Sequence, residues 1–314
     1  MKRLAVATIV GALVLAACGD DTEESAATEP PAAETTAAPE TPETTAAPET
    51  TAAETTAPAE AGSEAAACAE GNTISDGVLT IATGEPAFPP YVIDDAPESG
   101  QGFEAAVALA VARELGFEGD AVTWVRTAFD AAIAPGPKDF DFNLQQYTIT
   151  DERKEVVDFS DGYYTAPQAV FGLADSAAAG VTSVADLKPL KFGVAAGTTS
   201  IAYVEDIIQP DEELFIFPDN AAAKTALESG QIDAIVSDLP TALYITAVEI
   251  EGTTVFGQIE GSGTDEFGLL LAKDSPLTEC VNLALQALKD SGELESITLE
   301  WMSEYTEAPV ISAG

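Results

Sequence analysis

Residues 141–164 read DFNLQQYTITDERKEVVDFSDGYY, and this stretch carries the most specific pattern in the chain. A buried strand is predicted over 140–144, followed by a polar turn over 145–151 and then by Arg153. Arginine has a planar fork of donors that matches a carboxylate, and ligands usually bind beyond strand ends in open α/β sheets. The pattern therefore indicates a carboxylate-binding arginine. The alternative is a surface salt bridge between Arg153 and a neighbouring acid, Asp151, Glu152 or Glu155.

The residues around this arginine resemble one known family. The segment Thr148-Ile149-Thr150-Asp151-Glu152-Arg153, followed by Val157-Asp158-Phe159-Ser160 and Tyr163-Tyr164, is similar to the extracellular solute-binding proteins of polar amino acid ABC importers (bacterial solute-binding family 3). Matching segments extend the resemblance over about residues 77–305. It implies an α/β fold of two lobes, the type II periplasmic-binding-protein fold, with a hinge of two crossover strands. It also implies a binding protein that is not an enzyme and needs no cofactor.

The N-terminus indicates export and anchoring. Residues 1–18 combine Lys2 and Arg3 with an apolar run that is too short to span a bilayer. The ending Leu-Ala-Ala-Cys resembles a bacterial lipobox, which implies a signal peptide cleaved before Cys18 and lipid on its thiol. The alternative is an ordinary secretory signal. Residues 19–67 repeat Ala, Thr, Pro and Glu and contain no aromatic residue, so we expect a disordered tether with little apolar surface to bury.

The charge of the chain limits its partners. The formal net charge is −42, which argues against nucleic acid and against anionic membrane surfaces. We therefore expect contact with the membrane through the lipid alone, and we expect a monomer. The chain has no histidine, which is the commonest general base and zinc ligand, and we predict no metal site.

Cysteine usage predicts one disulfide. If Cys18 carries lipid, Cys68 and Cys280 remain, and two cysteines in an exported chain are expected to pair. By the resemblance, the C-terminal segment returns to the first lobe, so the two cysteines could meet there. The alternative is a pair of unlinked thiols.

Strands and helices alternate through the folded part, which predicts parallel or mixed sheets covered on both faces. By the resemblance, the first lobe comprises residues 68–165 and 260–314, and the second comprises 166–259. The chain would cross between them near 166–171 and near 258–265. Strands are predicted at 78–83, 121–125, 190–194, 214–217, 232–236 and 253–256. Helices are predicted at 103–115, after Thr127 as N-cap, from the turn at Ser200 to 208, at 220–229 with Asn220 as cap, at 240–249 and at 277–288.

An amino acid offers two charged groups to a receptor, a carboxylate and an ammonium, and each needs a partner once it is buried. Arg153 and the Thr148 hydroxyl suit the carboxylate. In the second lobe, the turn at 197–200 brings backbone N–H groups and the hydroxyls of Thr198, Thr199 and Ser200 to a helix N-terminus, which favours an anion; simple N-capping is the alternative. The resemblance assigns the ammonium to Asp238, which could instead cap the helix at Pro240.

Other candidates surround these charged groups. By the resemblance, Phe88 lies over the ligand, Phe129 is an apolar contact, and Ala195 belongs to the ligand-binding set; both aromatic residues could also be ordinary core. Glu85 could meet a cationic ligand side chain. A further pair, Gln145 and Gln146, departs from the small residues usual in the family. Two long amides would reshape the pocket and supply donors and acceptors, so we expect them to determine ligand choice.

These observations predict a substrate-binding lipoprotein on the outer face of the bacterial cell membrane. It would capture an amino acid or a related small carboxylate between two lobes and deliver it to an ABC permease. Two alternatives remain from the sequence. One is an exported dehydratase-like enzyme on the same fold, with Glu85 or Asp238 as general acid. The other is a sensor module that presents its ligand to a membrane receptor.

Overall fold

The computed structural model describes residues 63–313, which form two lobes joined by a ribbon of two strands. Each lobe has a mixed sheet flanked by helices, and this confirms the predicted two-lobed α/β fold with two crossover strands. None of the helices within residues 63–313 has both the length and the apolarity needed to cross a bilayer.

The first lobe is formed mainly by residues 63–163. Its elements are α1 (Glu64–Ala69), β1 (Leu79–Gly84), the 3-10 turns Ile93–Asp95 and Pro97–Ser99, α2 (Phe103–Glu114), the 3-10 turn Gly119–Ala121, β2 (Val122–Thr127), α3 (Phe129–Ile133), β3 (Phe142–Asn143), α4 (Asp151–Lys154) and β4 (Val157–Phe159).

The ribbon and the second lobe follow, and the chain then returns. The elements are β5 (Tyr164–Ala166), β6 (Gln168–Leu173), α5 (Val184–Leu187), β7 (Phe192–Ala195), α6 (Ser200–Ala202) continued by a π-helical turn (Tyr203–Ile208), β8 (Phe215–Phe217), α7 (Asn220–Glu228), β9 (Ala234–Asp238), α8 (Leu239–Tyr244) with a second π-helical turn (Ile245–Glu249), β10 (Thr253–Ile259), β11 (Asp265–Phe267), β12 (Leu270–Ala272), α9 (Thr278–Ser291), α10 (Glu293–Met302) and β13 (Val310–Ile311).

Strand pairing defines the two lobes and the hinge. The first sheet has the order β2-β1-β3-β12-β4, in which β1 pairs in parallel with β2 and β3. The second sheet has the order β13-β10-β6-β9-β7-β8. Between them β5 and β11 pair in antiparallel fashion, with Asp265 opposite Ala166 and Phe267 opposite Tyr164. This ribbon is the hinge, and it brings Asp265 close to the cleft.

Helix α2 shows how the apolar pattern forms the core of the first lobe. Phe103, Val107 and Val111 are fully buried, as expected for residues that recur on one helical face. The chain leaves the helix at Gly116, where φ is +87°, a left-handed conformation that glycine adopts without strain. The same helix buries Glu104, and that acid proves relevant to the site.

The predicted disulfide is present. Cys68 at the end of α1 is bonded to Cys280 in α9, with the two Cα atoms 5.3 Å apart. The bond closes a loop with a sequence separation of 212 residues and ties the start of the described chain to the C-terminal helix.

Two predictions about boundaries are wrong. Helix α1 begins at Glu64, inside the predicted tether, because Ser63 caps it by accepting a hydrogen bond from Ala66 N–H and because Ala65 and Ala69 are buried. Strand β13 pairs with β10, so the last described residues return to the second lobe and residues 260–314 do not all belong to the first. Residues 1–62, including the predicted signal peptide and Cys18, lie outside the described residues.

Two predicted helix N-caps are also wrong. Thr127 ends β2 instead of capping α3, which begins at Phe129 with Ala128 before it and no side-chain cap. Its hydroxyl accepts a hydrogen bond from Asn143 Nδ2 at 2.9 Å instead. The cap of α7 is Asp219, one residue before the predicted Asn220, and its carboxylate accepts from Ala222 N–H at 2.7 Å.

Candidate functional site

A cavity of about 260 Å³ lies between the two lobes. The carboxyl ends of β1 and β3 supply one side of it, and those of β7 and β9 supply the other. The structure brings every predicted ligand-binding residue to its walls: Glu85, Phe88, Phe129, Gln145, Gln146, Thr148, Arg153, Ala195, Thr198, Thr199, Ser200 and Asp238.

Arg153 enters the cavity from helix α4. Thr150 caps that helix by accepting a hydrogen bond from Arg153 N–H, which fixes the backbone of the arginine. The residue is only 7% exposed, and its guanidinium lies 5.6 Å from the centre of the Phe129 ring. Within the described part of the chain Arg153 forms no ion pair, so the surface salt bridge is not what the structure shows.

The Arg153 guanidinium also spans the two lobes. One of its terminal nitrogens donates to the Thr148 carbonyl at 2.6 Å, and the other donates to the Gly197 carbonyl of the second lobe at 2.8 Å. Burial lowers the pKa of this guanidinium from its usual value, while the nearby Tyr147, Asp265 and Asp238 oppose that shift. Five N–H donors exceed these two contacts, so donors remain for a ligand carboxylate.

Asp238 is the negative group on the opposite side. It stands at the N-cap position of α8 but makes no side-chain capping bond, so capping is not its role. Its carboxylate accepts a hydrogen bond from Gln168 Nε2 at 2.8 Å. Burial, and next the charge of Asp265, raise the pKa of Asp238 well above its usual value, whereas Arg153 opposes this. A cation placed beside Asp238 would therefore be strongly favoured.

A network that the sequence did not predict holds this side of the cavity. Gln168 in β6 donates through Nε2 to both Asp238 and Asp265, each at 2.8 Å. Its side-chain oxygen, Oε1, accepts from the Ser200 hydroxyl at 2.7 Å. Thr199 donates to Asp265 at 2.7 Å. Two acids that are distant in sequence thus share one amide, and no local pattern around Gln168 or Asp265 indicates it.

The side-chain hydroxyls of the turn at 197–200 already donate their hydrogens to other groups of the protein. Thr198 donates to the Ala195 carbonyl at 2.8 Å, and Thr199 and Ser200 donate as described above. These hydroxyls can accept a hydrogen bond from a ligand but have no hydrogen left to give. Donors for an anion must therefore come from backbone N–H groups at the start of α6, where Ile201 N–H already donates to the Thr198 carbonyl at 3.4 Å.

The two glutamines are held by different neighbours. Gln145 Oε1 accepts from the Tyr147 hydroxyl at 2.9 Å and from the Thr127 hydroxyl at 3.5 Å. A Cβ atom at Gly84 would lie 2.8 Å from Gln145 Nε2, so the absence of a side chain at Gly84 leaves room for this amide. The backbone N–H of Gln146 donates to Glu104 at 2.8 Å, and its Nε2 donates to the other oxygen of the same carboxylate.

Glu104 is a buried acid behind the cavity wall that sequence reasoning missed. It is 1% exposed and accepts hydrogen bonds from Gln146 and from the Tyr163 hydroxyl. Burial raises its pKa from 4.5 to about 7, against the opposing effect of these hydrogen bonds. An acid on an otherwise apolar helical face, in FEAAVALA, was the available signal.

The aromatic candidates occupy different positions. Phe129 stacks on Tyr147, with ring centres 4.6 Å apart, and it lines the cavity beside Arg153. Phe88 lies in the proline-rich loop, and the ammonium of Lys224 from the second lobe is 5.2 Å from its ring centre. The same ammonium pairs with Glu249 at 2.5 Å. Lys224, which the sequence did not predict, therefore links the two lobes at this side of the cleft.

Three further acids line the cavity: Glu85, Asp130 and Asp219. Asp219 is half-buried, and its carboxylate accepts a hydrogen bond from Ala222 N–H. Glu85 and Asp130 are solvent-exposed, and Asp130 Oδ1 accepts a hydrogen bond from the adjacent Ala131 N–H. Between residues 63 and 313, no group of three or more potential metal-ligating side chains comes together.

Comparisons with known proteins agree with this geometry. A sequence model of the bacterial extracellular solute-binding proteins, family 3, matches residues 79–304. The chain is similar to the ABC transporter glutamine-binding protein GlnH of Bacillus subtilis (strain 168), with 32% identity over 214 residues, which is 66% of this chain and 76% of that protein. It is also similar to the arginine-binding extracellular protein ArtP of the same strain, with 30% identity over 208 residues, 64% of this chain and 78% of that protein.

Solved structures show the same similarity. An ancestral arginine-binding protein bound to glutamine is 33% identical and superimposes with a TM-score of 0.63 over 73% of this chain and 99% of that one.

Proposed function

Because the chain belongs to the bacterial extracellular solute-binding proteins, family 3, we propose that it captures a free amino acid between its lobes and delivers it to an ABC permease. The members it resembles are solute-binding proteins, and the chain is accordingly a binding protein rather than an enzyme. The observation that carries the proposal is the pair of opposite charges on one cavity, Arg153 from the first lobe and Asp238 from the second.

The two charges match the two charged groups that all free α-amino acids share. The ligand carboxylate binds the free N–H groups of Arg153 and the backbone N–H groups at the start of α6. The ligand ammonium binds Asp238 and the hydroxyl oxygens of Thr199 and Ser200, which can only accept. Burial raises the pKa of Asp238, and an ammonium beside it would lower that pKa again, because an opposite charge favours the ionised carboxylate.

Binding is coupled to closure of the lobes. The contact of Arg153 with Gly197 and the 3.5 Å approach of the Thr148 and Thr199 hydroxyls both cross the cleft. A ligand can contact Arg153 of the first lobe and Asp238 of the second at the same time only when the lobes are closed. Its contacts then add to those between the lobes and favour the closed state. Rotation about the β5–β11 ribbon would open the cleft again for delivery to the permease.

The proposal includes anchoring of the protein outside the cell. Lipid on Cys18 would hold the folded part to the outer face of the membrane, with the chain between Cys18 and Ser63 as its tether. Replacing Cys18 with Ser should release the protein from the membrane fraction into the medium, and retention of the Cys18→Ser protein in that fraction would contradict lipid anchoring.

A ligand screen tests the central proposal. Thermal unfolding of the purified protein should be measured with each common L-amino acid and with related small carboxylates, since a ligand that binds only the folded state raises the midpoint. Isothermal calorimetry then gives the affinity of the best ligand.

A matched pair of variants sharpens the screen. Arg153→Met should remove the rise in midpoint, because an unpaired carboxylate in the closed cavity costs about 2–5 kcal/mol. Lys154→Met removes the next cation in the same helix, an exposed one outside the cavity, and should leave binding unchanged. Equal binding by the two variants would contradict the assignment of Arg153.

A further inference from the structure

The first lobe presents a hydrogen-bond donor to the cavity at Gln145. Asn143 gives both amide hydrogens to hydroxyls, one to Thr127 at 2.9 Å and one to Tyr147 at 3.3 Å. The Thr127 hydroxyl donates to Gln145 Oε1 at 3.5 Å. The Tyr147 hydroxyl has two acceptors in reach, Gln145 Oε1 at 2.9 Å and the Phe129 carbonyl at 3.4 Å, and the shorter contact is the one to Gln145. With its oxygen occupied in this way, the amide of Gln145 leaves the two hydrogens of Nε2, which lies against Gly84 at the cavity wall, for a ligand.

Gln146 presents the opposite polarity. Its backbone N–H and its side-chain Nε2 both donate to the Glu104 carboxylate, which also accepts from Tyr163. Three donors converge on this acid, so the nitrogen end of the Gln146 amide is held against it. The oxygen end, Oε1, is the part of the amide that remains to accept a hydrogen bond.

The two amides together define what the variable part of a ligand must offer. One wall of the cavity has an N–H donor at Gln145 and a carbonyl acceptor at Gln146, and both residues line the cavity. Because the donor and the acceptor of the wall belong to two different residues, the side chain that complements them carries an acceptor and a donor on two separate atoms, and no net charge. We propose that the preferred ligand is an amino acid with a carboxamide side chain. This inference rests on the proposed function, in which Arg153 and Asp238 bind the common part of the ligand.

The acids at the cavity wall do not change this conclusion. Glu85 and Asp130 would attract a basic side chain, but both are solvent-exposed, where water and salt screen their charges. The half-buried Asp219 also lines the cavity, but its carboxylate already accepts a hydrogen bond from Ala222 N–H as the cap of α7. Gln145 and Gln146 are half-buried, and a polar group that loses its partner there is penalised more strongly. The hydrogen-bond pattern of the enclosed amides therefore outweighs the exposed charges in ligand choice.

Calorimetry with five matched ligands tests the proposal on the full purified protein. L-Glutamine and L-asparagine carry the carboxamide, L-glutamate replaces it with an anion, L-lysine with a cation, and L-methionine with an apolar group. The better of the two amides should bind roughly tenfold to a hundredfold more tightly than the other three ligands, because each of those leaves at least one enclosed amide group unpaired.

Variants assign the preference to the named residue. Gln145→Met keeps the length of the side chain but removes its donor, and it should reduce the advantage of the amide ligand over L-methionine by about tenfold. Gln101→Met makes the same change at an exposed residue outside the cavity and should leave the preference intact. Thermal unfolding of each variant without ligand confirms that it is folded.

The outcomes separate this inference from the proposed function. If L-lysine, L-glutamate or L-methionine binds the parent protein as tightly as the better of the two amides, the inference is wrong, while Arg153-dependent binding of any of them preserves the proposed function. If Gln145→Met keeps the full preference, the inference is also wrong. If no free amino acid binds the parent protein, both fail.

Discussion

The two walls of the cavity hold their polar groups in different ways. On the first-lobe wall, Gln145 and Gln146 are oriented by neighbours of the same lobe, Tyr147 and Glu104. On the second-lobe wall, Asp238 is joined to Asp265 through Gln168, and Thr199 donates to Asp265 directly; Asp265 lies in the hinge ribbon. The contacts that orient the two glutamines do not cross the cleft, whereas those of the second wall reach the hinge. We therefore expect Gln145 and Gln146 to determine ligand choice and the second wall to respond to binding.

Removing the negative charge of the second wall should have the largest effect. Asp238→Asn leaves a ligand ammonium buried without a counter-ion, so affinity should fall by about 2–5 kcal/mol, measured by calorimetry with the best ligand of the screen. Asp211→Asn removes an exposed acid of the same lobe and serves as the control. Unchanged affinity of the Asp238→Asn protein would show that this wall does not bind the ammonium.

Glu104, the buried acid behind the first wall, should make the stability of the folded protein depend on pH. The pKa of Glu104 is raised from 4.5 to about 7, so between those values the folded protein keeps a proton that the unfolded chain has lost. The free energy of unfolding should therefore fall as pH rises from about 4.5 to about 7. Since one pKa unit is worth about 1.4 kcal/mol, the total loss is about 3 kcal/mol.

Denaturant unfolding across a series of buffers measures this dependence. Glu104→Gln should remove most of the fall, and Glu118→Gln, which changes an exposed acid beyond the same helix, should retain it. A parent protein whose stability rises over that pH interval would contradict the assignment.

The link between the second wall and the hinge predicts how binding depends on pH. Asp238 must be ionised to pair with an ammonium, so affinity should decrease as pH falls through its raised pKa. Asp265 contributes to that rise, so Asp265→Asn should move the decrease to lower pH. Calorimetry of both proteins over a pH series makes the comparison. Superimposable pH profiles would mean that the hinge acid and Asp238 are independent.

The smallest expected effect concerns the contact between the lobes at Phe88. Lys224→Met removes the ammonium from the Phe88 ring, an interaction worth about 0.5–2 kcal/mol. Because this contact holds the lobes together, the ligand should dissociate about threefold to tenfold faster while its association rate stays constant. Stopped-flow measurement against the exposed control Lys191→Met tests this, and a change in association alone would contradict it.

The sequence predicted those parts of the fold and the site that depend on neighbours along the chain. Helix α2, strand β1 and the position of Arg153 follow from local patterns, because apolar spacing and strand ends depend on neighbours in the chain. The residues expected at the cavity followed from the resemblance, and all of them line it. Glu104, Gln168, Asp265 and Lys224 could not be predicted, because their partners come from other elements and, for Lys224, from the other lobe.

Local rules also failed where tertiary contacts override composition. Helix α1 lies in a segment whose repeats indicate disorder, yet its buried alanines and the Cys68–Cys280 bond attach it to α9. Strand β13 forms because β10 is otherwise an edge with unpaired backbone groups, and a short apolar pair, Val310–Ile311, satisfies them.

The position of the disulfide determines where mechanical load enters the protein. Tension on the chain before Ser63 reaches α1 and passes through the covalent Cys68–Cys280 bond into α9, both of which belong to the first lobe. The β5–β11 ribbon lies outside this path. If the protein is anchored through its N-terminus as proposed, force on that anchor would act on the first lobe alone, and we expect it to leave the angle between the lobes unchanged.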